Sequence, residues 1–181
     1  MPIDAIGLQS HQHQGAWGKD RLAEVIERFS GFGLPLHFTE NTFVSGDLMP
    51  PHIVDLNDYQ VDSWPSTPAG EERQARDVEE MLDLLFASPS VTALTSWNLV
   101  DGQWLKAPAG VLREDGGKKP AFEVYRQRVQ KDWRTETTLQ TDENGVCTLT
   151  GFRGAYALKS DQGEGVFTPA KETGALTLTI R

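Results

Sequence analysis

The chain of 181 residues is long enough for one sizeable core, or for one domain with a small appendage. Hydrophobic residues make up 38% and charged residues 24% of it, which excludes an intrinsically disordered protein. The net charge of −9 argues against nucleic-acid and anionic-membrane partners, because these require a basic face. No apolar run approaches the roughly 18 residues of a membrane span, and the N-terminus shows no signal peptide.

The first part of the chain alternates predicted strands with predicted helices. An apolar strand is predicted at Ile3–Ser10, followed by an amphipathic helix at Lys19–Ser30. A second buried strand is predicted at Leu34–Glu40, and a second helix at Glu71–Ala87, introduced by the cap and proline of Thr67–Pro68. These two strand–helix units are typical of an α/β fold.

A third unit follows, and after it the composition changes. Val91–Trp97 is predicted as a strand, and Phe122, Tyr125 and Val129 mark a third helix after Lys119–Pro120. Three strand–helix repeats predict parallel strands joined by right-handed crossovers. We therefore expect one domain at 1–132 and a small β-rich appendage at 133–181.

The expected appendage is rich in threonine and in glycine turns. Its predicted turn is Asp142–Gly145. Its predicted short antiparallel strands are Thr137–Thr141, Val146–Thr150, Ala155–Lys159 and Leu176–Ile180.

Polar and aromatic residues lie where the three predicted parallel strands end. They are Gln9 and His11, Glu40, and Trp97. Functional residues of parallel α/β folds gather at these ends, so we expect the side chains to share one site. Each also has a simpler explanation, since a glutamate can be a solvated loop residue and a tryptophan can belong to the core.

A metal site is the less favoured interpretation of the first of these strand ends. His11 and His13 are spaced two apart on a polar stretch, but no cysteine or carboxylate stands at helpful spacing. We therefore predict neither a metal nor a cofactor.

Four short motifs, in this order, resemble the last three strands and final helix of the family 10 glycoside hydrolases. They are Ile3–His11, Phe38–Glu40, Trp97–Asp101 and Lys119–Ala121. The family comprises retaining endo-1,4-β-xylanases built on a (β/α)8 barrel. The resemblance covers residues 3 to about 130 and implies a partial TIM barrel of three βα units followed by the β appendage.

The resemblance also implies roles for five residues. Glu40 would be the nucleophile, while Gln9 and His11 would hold the nucleophile and the sugar that precedes the cleaved bond. Trp97 and Trp104 would form the aromatic walls of that subsite, as aromatic rings suit the apolar faces of sugars.

Two differences from the family pattern bear on the chemistry. Thr42 occupies the position of an acidic residue that supports the active-site histidine, so His11 must find another partner or titrate differently. The family's acid/base glutamate belongs to a strand before the three that are predicted here, and Asp101 is the other carboxylate close to the expected site. The resemblance thus implies a xylanase fragment with the nucleophile but without the acid/base residue, inactive alone.

The implied partners are xylan or xylo-oligosaccharides and the missing N-terminal half of the barrel. An extracellular or periplasmic location is expected for the parent enzyme. The alternative is a non-catalytic carbohydrate-binding module, in which Trp64, Trp97 and Trp104 stack on the sugar chain and Glu40 is only a polar contact.

Overall fold

Three parallel strands form the main sheet of the protein, whose structure is a computed structural model that describes residues 2–169. The strands are β1 (Ile6–Gln12), β2 (Leu36–Phe43) and β3 (Val91–Ser96), and they lie in the order β1-β2-β3. Their parallel pairing confirms the predicted partial α/β barrel. β1 and β2 both run further toward their carboxyl ends than predicted, so that His11 and Glu40 lie within strands.

Helices follow each strand, as the apolar spacing predicts. They are α1 (Gly18–Ser30), α2 (Pro68–Ala87) and α3 (Pro120–Gln127). The hydroxyl of Thr67 accepts a hydrogen bond from the backbone N–H of Gly70 at 3.1 Å and caps α2, with proline at the first helical position.

The core lies between one face of the sheet and the helices. Leu36 and Phe38 of β2 are fully buried, and they alternate with half-buried residues that face the other way. The helices contribute the buried residues Leu22, Ile26, Val78, Met81, Leu82, Leu85 and Ala121. The opposite face of β1, which carries Gln9 and His11, is left more open.

The long segment between β2 and α2 is held by a small core of its own. Val44, Met49 and Trp64 are buried together with Ala107 and Ala109 of the segment that follows β3. The indole N–H of Trp64 donates to the carbonyl of Asp47 at 2.8 Å. These contacts join the loops that follow β2 and β3 at the carboxyl edge of the sheet.

The chain divides into two units, Met1–Gln127 and Arg128–Arg181. The second begins with a π-helical segment, Arg128–Asp132. It also contains an antiparallel hairpin of β4 (Tyr156–Ser160) and β5 (Gly163–Phe167), in which the rings of Tyr156 and Phe167 stack. β4 corresponds to the predicted strand Ala155–Lys159.

The remaining strand predictions for the second unit were not met in the described residues. Thr137–Thr141 and Val146–Thr150 are not strands, although the turn between them is present. The Asp142 carboxylate accepts hydrogen bonds from the backbone N–H groups of Asn144 and Val146. These N–H groups are therefore engaged in a local turn and are not available for pairing between strands. The predicted strand Leu176–Ile180 lies outside the described residues.

Candidate active site

Irregular pairing at the ends of β1 and β2 aims the side chains of the candidate site. The register between the two strands shifts between Gln9 and His11, and that between β2 and β3 shifts between Phe38 and Asn41. Glu40 lies inside the second shift with a φ of 54°, in the left-handed region that non-glycine residues rarely occupy. Such irregularities commonly re-aim a side chain next to a functional site.

The Glu40 carboxylate receives one hydrogen bond on each oxygen. Gln9 Nε2 donates to Oε1 at 2.8 Å, and His11 Nε2 lies 3.0 Å from Oε2. The Glu40 side chain remains 29% exposed, against 13% for His11. The two donors fix the carboxylate while one side of it stays open to a ligand.

The second ring nitrogen of His11 faces Thr42, the residue at the position where the family has an acidic partner for this histidine. His11 Nδ1 lies 3.2 Å from the hydroxyl oxygen of Thr42. In the tautomer that carries its proton on Nε2, the ring donates to Glu40 while Nδ1 accepts from the Thr42 hydroxyl. A buried hydroxyl therefore orients His11 where an acidic residue was expected.

Two tryptophan rings lie beside His11, the partner of the Glu40 carboxylate. The Trp97 ring lies 6.1 Å from the His11 ring, and the Trp104 ring 4.7 Å from it. The two indoles are 6.2 Å apart at 77° to each other. Trp97 is 49% exposed, so one of its faces is free to stack on a ligand.

Asp101 takes part in a buried ion pair. Its carboxylate accepts hydrogen bonds from Lys119 Nζ at 2.5 Å, from the Ser66 hydroxyl at 2.8 Å and from the Gly110 N–H at 2.9 Å. Lys119 is fully buried and also donates to the Ser45 hydroxyl and the Gly110 carbonyl. Burial lowers the pKa of Lys119, while Asp101 acts in the opposite direction. This network ties together the loops that carry Trp64 and Trp104.

The structure thus brings together Gln9, His11, Glu40, Trp97 and Trp104, the predicted site residues. The sequence considered His13 only as a possible metal ligand, and its place among the site rings was missed. The His13 ring is 1% exposed and lies 5.4 Å from Trp104 and 5.9 Å from His11. Burial, with a smaller contribution from His11, lowers the pKa of His13 from 6.5 to about 4. Gln9, His11 and His13 are two residues apart, and side chains at this spacing in a strand point to the same face of the sheet. This spacing could have indicated that His13 lies beside the other two.

Two other kinds of site were sought over residues 2–169. In that range no group of three or more histidine, cysteine, aspartate or glutamate side chains could hold a metal ion. Over the same range, no helix combines the length and the apolar character that crossing a bilayer demands.

Parallel strands with helices on one face, and with polar and aromatic residues at their carboxyl ends, define an α/β protein of the barrel class. The family model for glycosyl hydrolase family 10 matches residues 1–128, and the chain belongs to this family.

Relatives of known name agree with this assignment. An endo-1,4-beta-xylanase of Geobacillus stearothermophilus is 28% identical over 107 residues, 58% of this chain and 30% of that protein. Endo-1,4-beta-xylanase 1 of Arabidopsis thaliana is 22% identical over 158 residues, 87% of this chain and 14% of that protein. The chain spans less than a third of either relative.

Solved structures show the same fold. Xylanase 10B from Thermotoga petrophila RKU-1, in complex with xylobiose, superimposes with a TM-score of 0.52 at 21% identity, covering 72% of this chain and 37% of that one. Xylanase XynB from Paenibacillus barcinonensis, complexed with a conduramine derivative, gives 0.52 at 22% identity, with 68% and 38% coverage.

Proposed function

We propose that the chain carries the nucleophile-bearing part of a retaining endo-1,4-β-xylanase that acts on β-1,4-linked xylan. The observation that carries the proposal is the Glu40 carboxylate, held on separate oxygens by Gln9 and His11 and still open on one side. Membership of glycosyl hydrolase family 10 and the named xylanases among its relatives support the substrate class.

The geometry suits the covalent step of a retaining glycosidase. In that mechanism one carboxylate attacks the anomeric carbon while a second carboxyl group, about 5–5.5 Å away, protonates the leaving oxygen. Hydrogen bonds from Gln9 and His11 restrict the rotation of the Glu40 carboxylate and hold it in one orientation. Glu40 then forms the bond to the sugar, and water later displaces it.

The tryptophans supply the sugar-binding surface. Trp97 and Trp104 stand nearly at right angles beside His11, so they form a corner in which a pyranose ring can lay an apolar face on one indole and meet the other indole with its edge. We assign this corner to the sugar that precedes the cleaved bond.

The proton donor comes from outside these 181 residues in our proposal. Asp101, the other carboxylate close to the site, is 9% exposed and accepts hydrogen bonds from Lys119, Ser66 and the backbone of Gly110. A proton donor must reach the leaving oxygen, and both oxygens of Asp101 are already engaged by donors inside the protein. We therefore expect the chain alone to lack activity on xylan, with the acid/base group supplied by the other part of the barrel.

The leaving group of the substrate distinguishes the two parts of this proposal. An aryl β-xylobioside with a dinitrophenolate leaving group needs no proton donor, because dinitrophenolate departs as an anion. The full chain should release dinitrophenolate from this substrate, Glu40→Gln should not, and neither should release reducing sugar from xylan. Xylan hydrolysis that depends on Glu40 would refute the missing donor, and no release of dinitrophenolate would refute the nucleophile.

A non-catalytic carbohydrate-binding module is the second candidate, and the half-exposed Trp97 ring favours it. In that case Trp97→Ala abolishes binding of xylo-oligosaccharides, Glu40→Gln leaves affinity nearly unchanged, and the activated xylobioside is not cleaved. Calorimetric titration of the two variants with xylotriose separates the candidates.

A further inference from the structure

His13 lies where three segments of the first unit meet. It directly follows β1, and its backbone carbonyl accepts a hydrogen bond from the Met49 N–H at 2.9 Å in the loop after β2. Its ring contacts Trp64 of that loop and Trp104 of the loop after β3. The side chain is fully enclosed, with 1% exposure.

The His13 ring contacts two sets of rings. One is Trp64, buried in the small core between the loops, with ring centroids 5.7 Å apart at 88°. The other is Trp104 and His11, which are 4.7 Å from each other and belong to the candidate site. His13 is therefore in contact both with an anchored ring and with two rings that would meet the sugar.

The polar atoms of His13 add a second observation. Neither Nδ1 nor Nε2 has a hydrogen-bond partner among residues 2–169. Buried polar atoms without partners cost stability, and a phenyl ring would fill similar space without that cost. Side chains that break this rule are concentrated at functional sites.

We propose that His13 is a positioning residue, whose buried ring sets the spacing and tilt of His11 and Trp104 and so controls sugar binding without touching the sugar. This inference rests on the proposed function, because the sugar is the one assigned to the Trp97–Trp104 corner. His13 acts through the rings of His11 and Trp104, so the loss of the His13 ring should displace both of these rings.

The test compares His13→Ala with the same substitution at His52, an exposed histidine of the loop after β2, in the full chain. Xylotriose affinity is measured by calorimetry, and the Trp104 indole N–H and His11 ring signals by NMR without sugar. The packing of an aromatic ring is worth up to about tenfold in affinity. His13→Ala should therefore weaken binding about tenfold and move both signals, while His52→Ala should change neither. His13→Phe, which restores a ring, should recover affinity and both signals.

The two readouts separate this inference from the proposed function. Wild-type binding with unchanged affinity and signals in His13→Ala overturns the positioning role and leaves the proposed function standing. If the wild type does not bind xylotriose, the proposed function and the control of sugar binding by His13 both fail, and the NMR signals then test only whether His13 positions the two rings. A folded His13→Phe that binds as poorly as His13→Ala also overturns the role, and His13→Leu replaces His13→Ala if that variant does not fold.

Discussion

The buried His13 should make the stability of the protein depend on pH in a way that His13→Phe removes. Burial lowers the pKa of His13 from 6.5 to about 4, so between these values the unfolded chain binds a proton that the folded chain does not. The contribution of this residue to the free energy of unfolding is thus fully present above pH 6.5 and is lost as the pH falls toward 4.

The size of the effect follows from that interval. One pH unit corresponds to about 1.4 kcal/mol for a single proton, so His13 accounts for a loss of about 3 kcal/mol between neutral pH and pH 4. Phenylalanine at this position takes up no proton and leaves no unpaired nitrogen. His13→Phe should therefore also be more stable at pH 7, by about 1–3 kcal/mol.

Urea unfolding of the wild type and of His13→Phe at pH 7 and pH 4 tests this reasoning. The 26 acidic residues also titrate over this range, but they are common to both proteins, so the difference between the two pH profiles isolates His13. We expect the wild type to lose about 3 kcal/mol more than the variant. Parallel profiles would show that His13 is not held neutral by burial, and His52→Ala should follow the wild type.

Three further changes test the scaffold of the site. Lys119→Met leaves Asp101 buried without its partner and should lower the free energy of unfolding, measured with urea, by about 3–5 kcal/mol. The double variant with Asp101→Asn should recover most of this loss, and a loss below about 1 kcal/mol in Lys119→Met would contradict a buried pair. Glycine adopts the left-handed backbone of position 40 without strain, so Glu40→Gly should be about 0.5–1 kcal/mol more stable to unfolding than Glu40→Ala. An equal or lower stability of Glu40→Gly would mean that the backbone is not strained there. Gly110→Ala brings a methyl group 2.4 Å from the Val100 carbonyl carbon and should lower the melting temperature, which would stay unchanged if that close approach were absent.

Much of the first unit could be predicted from its sequence because the signals are local. Helical spacing of Leu22 and Ile26, and the cap at Thr67, define helices without reference to distant residues. The rule that functional groups gather at the carboxyl ends of parallel strands then placed Gln9, His11 and Glu40 at one edge. Their hydrogen bonds agree with that placement.

Other features depend on contacts between distant segments, which a single sequence does not display. Lys119 donates hydrogen bonds to Asp101, Ser45 and Gly110. The sequence suggested only that it precedes a helix, whereas in the structure its buried side chain connects the loops that follow β2 and β3. The hairpin strand Gly163–Phe167 was missed, since its two glycines weaken the alternating pattern that marks a strand.

Covalent trapping of Glu40 tests the central claim most directly. A 2-deoxy-2-fluoro-β-xylobioside with a dinitrophenolate leaving group should form a stable glycosyl ester on the nucleophile. The fluorine slows both the formation and the hydrolysis of this intermediate, whereas the activated leaving group speeds its formation alone, so the ester accumulates. Mass spectrometry of the intact chain and of its peptides should place one added fluoroxylobiosyl group on Glu40, and none on Glu40→Gln. An unlabelled chain, or a label on any other residue, would contradict the account.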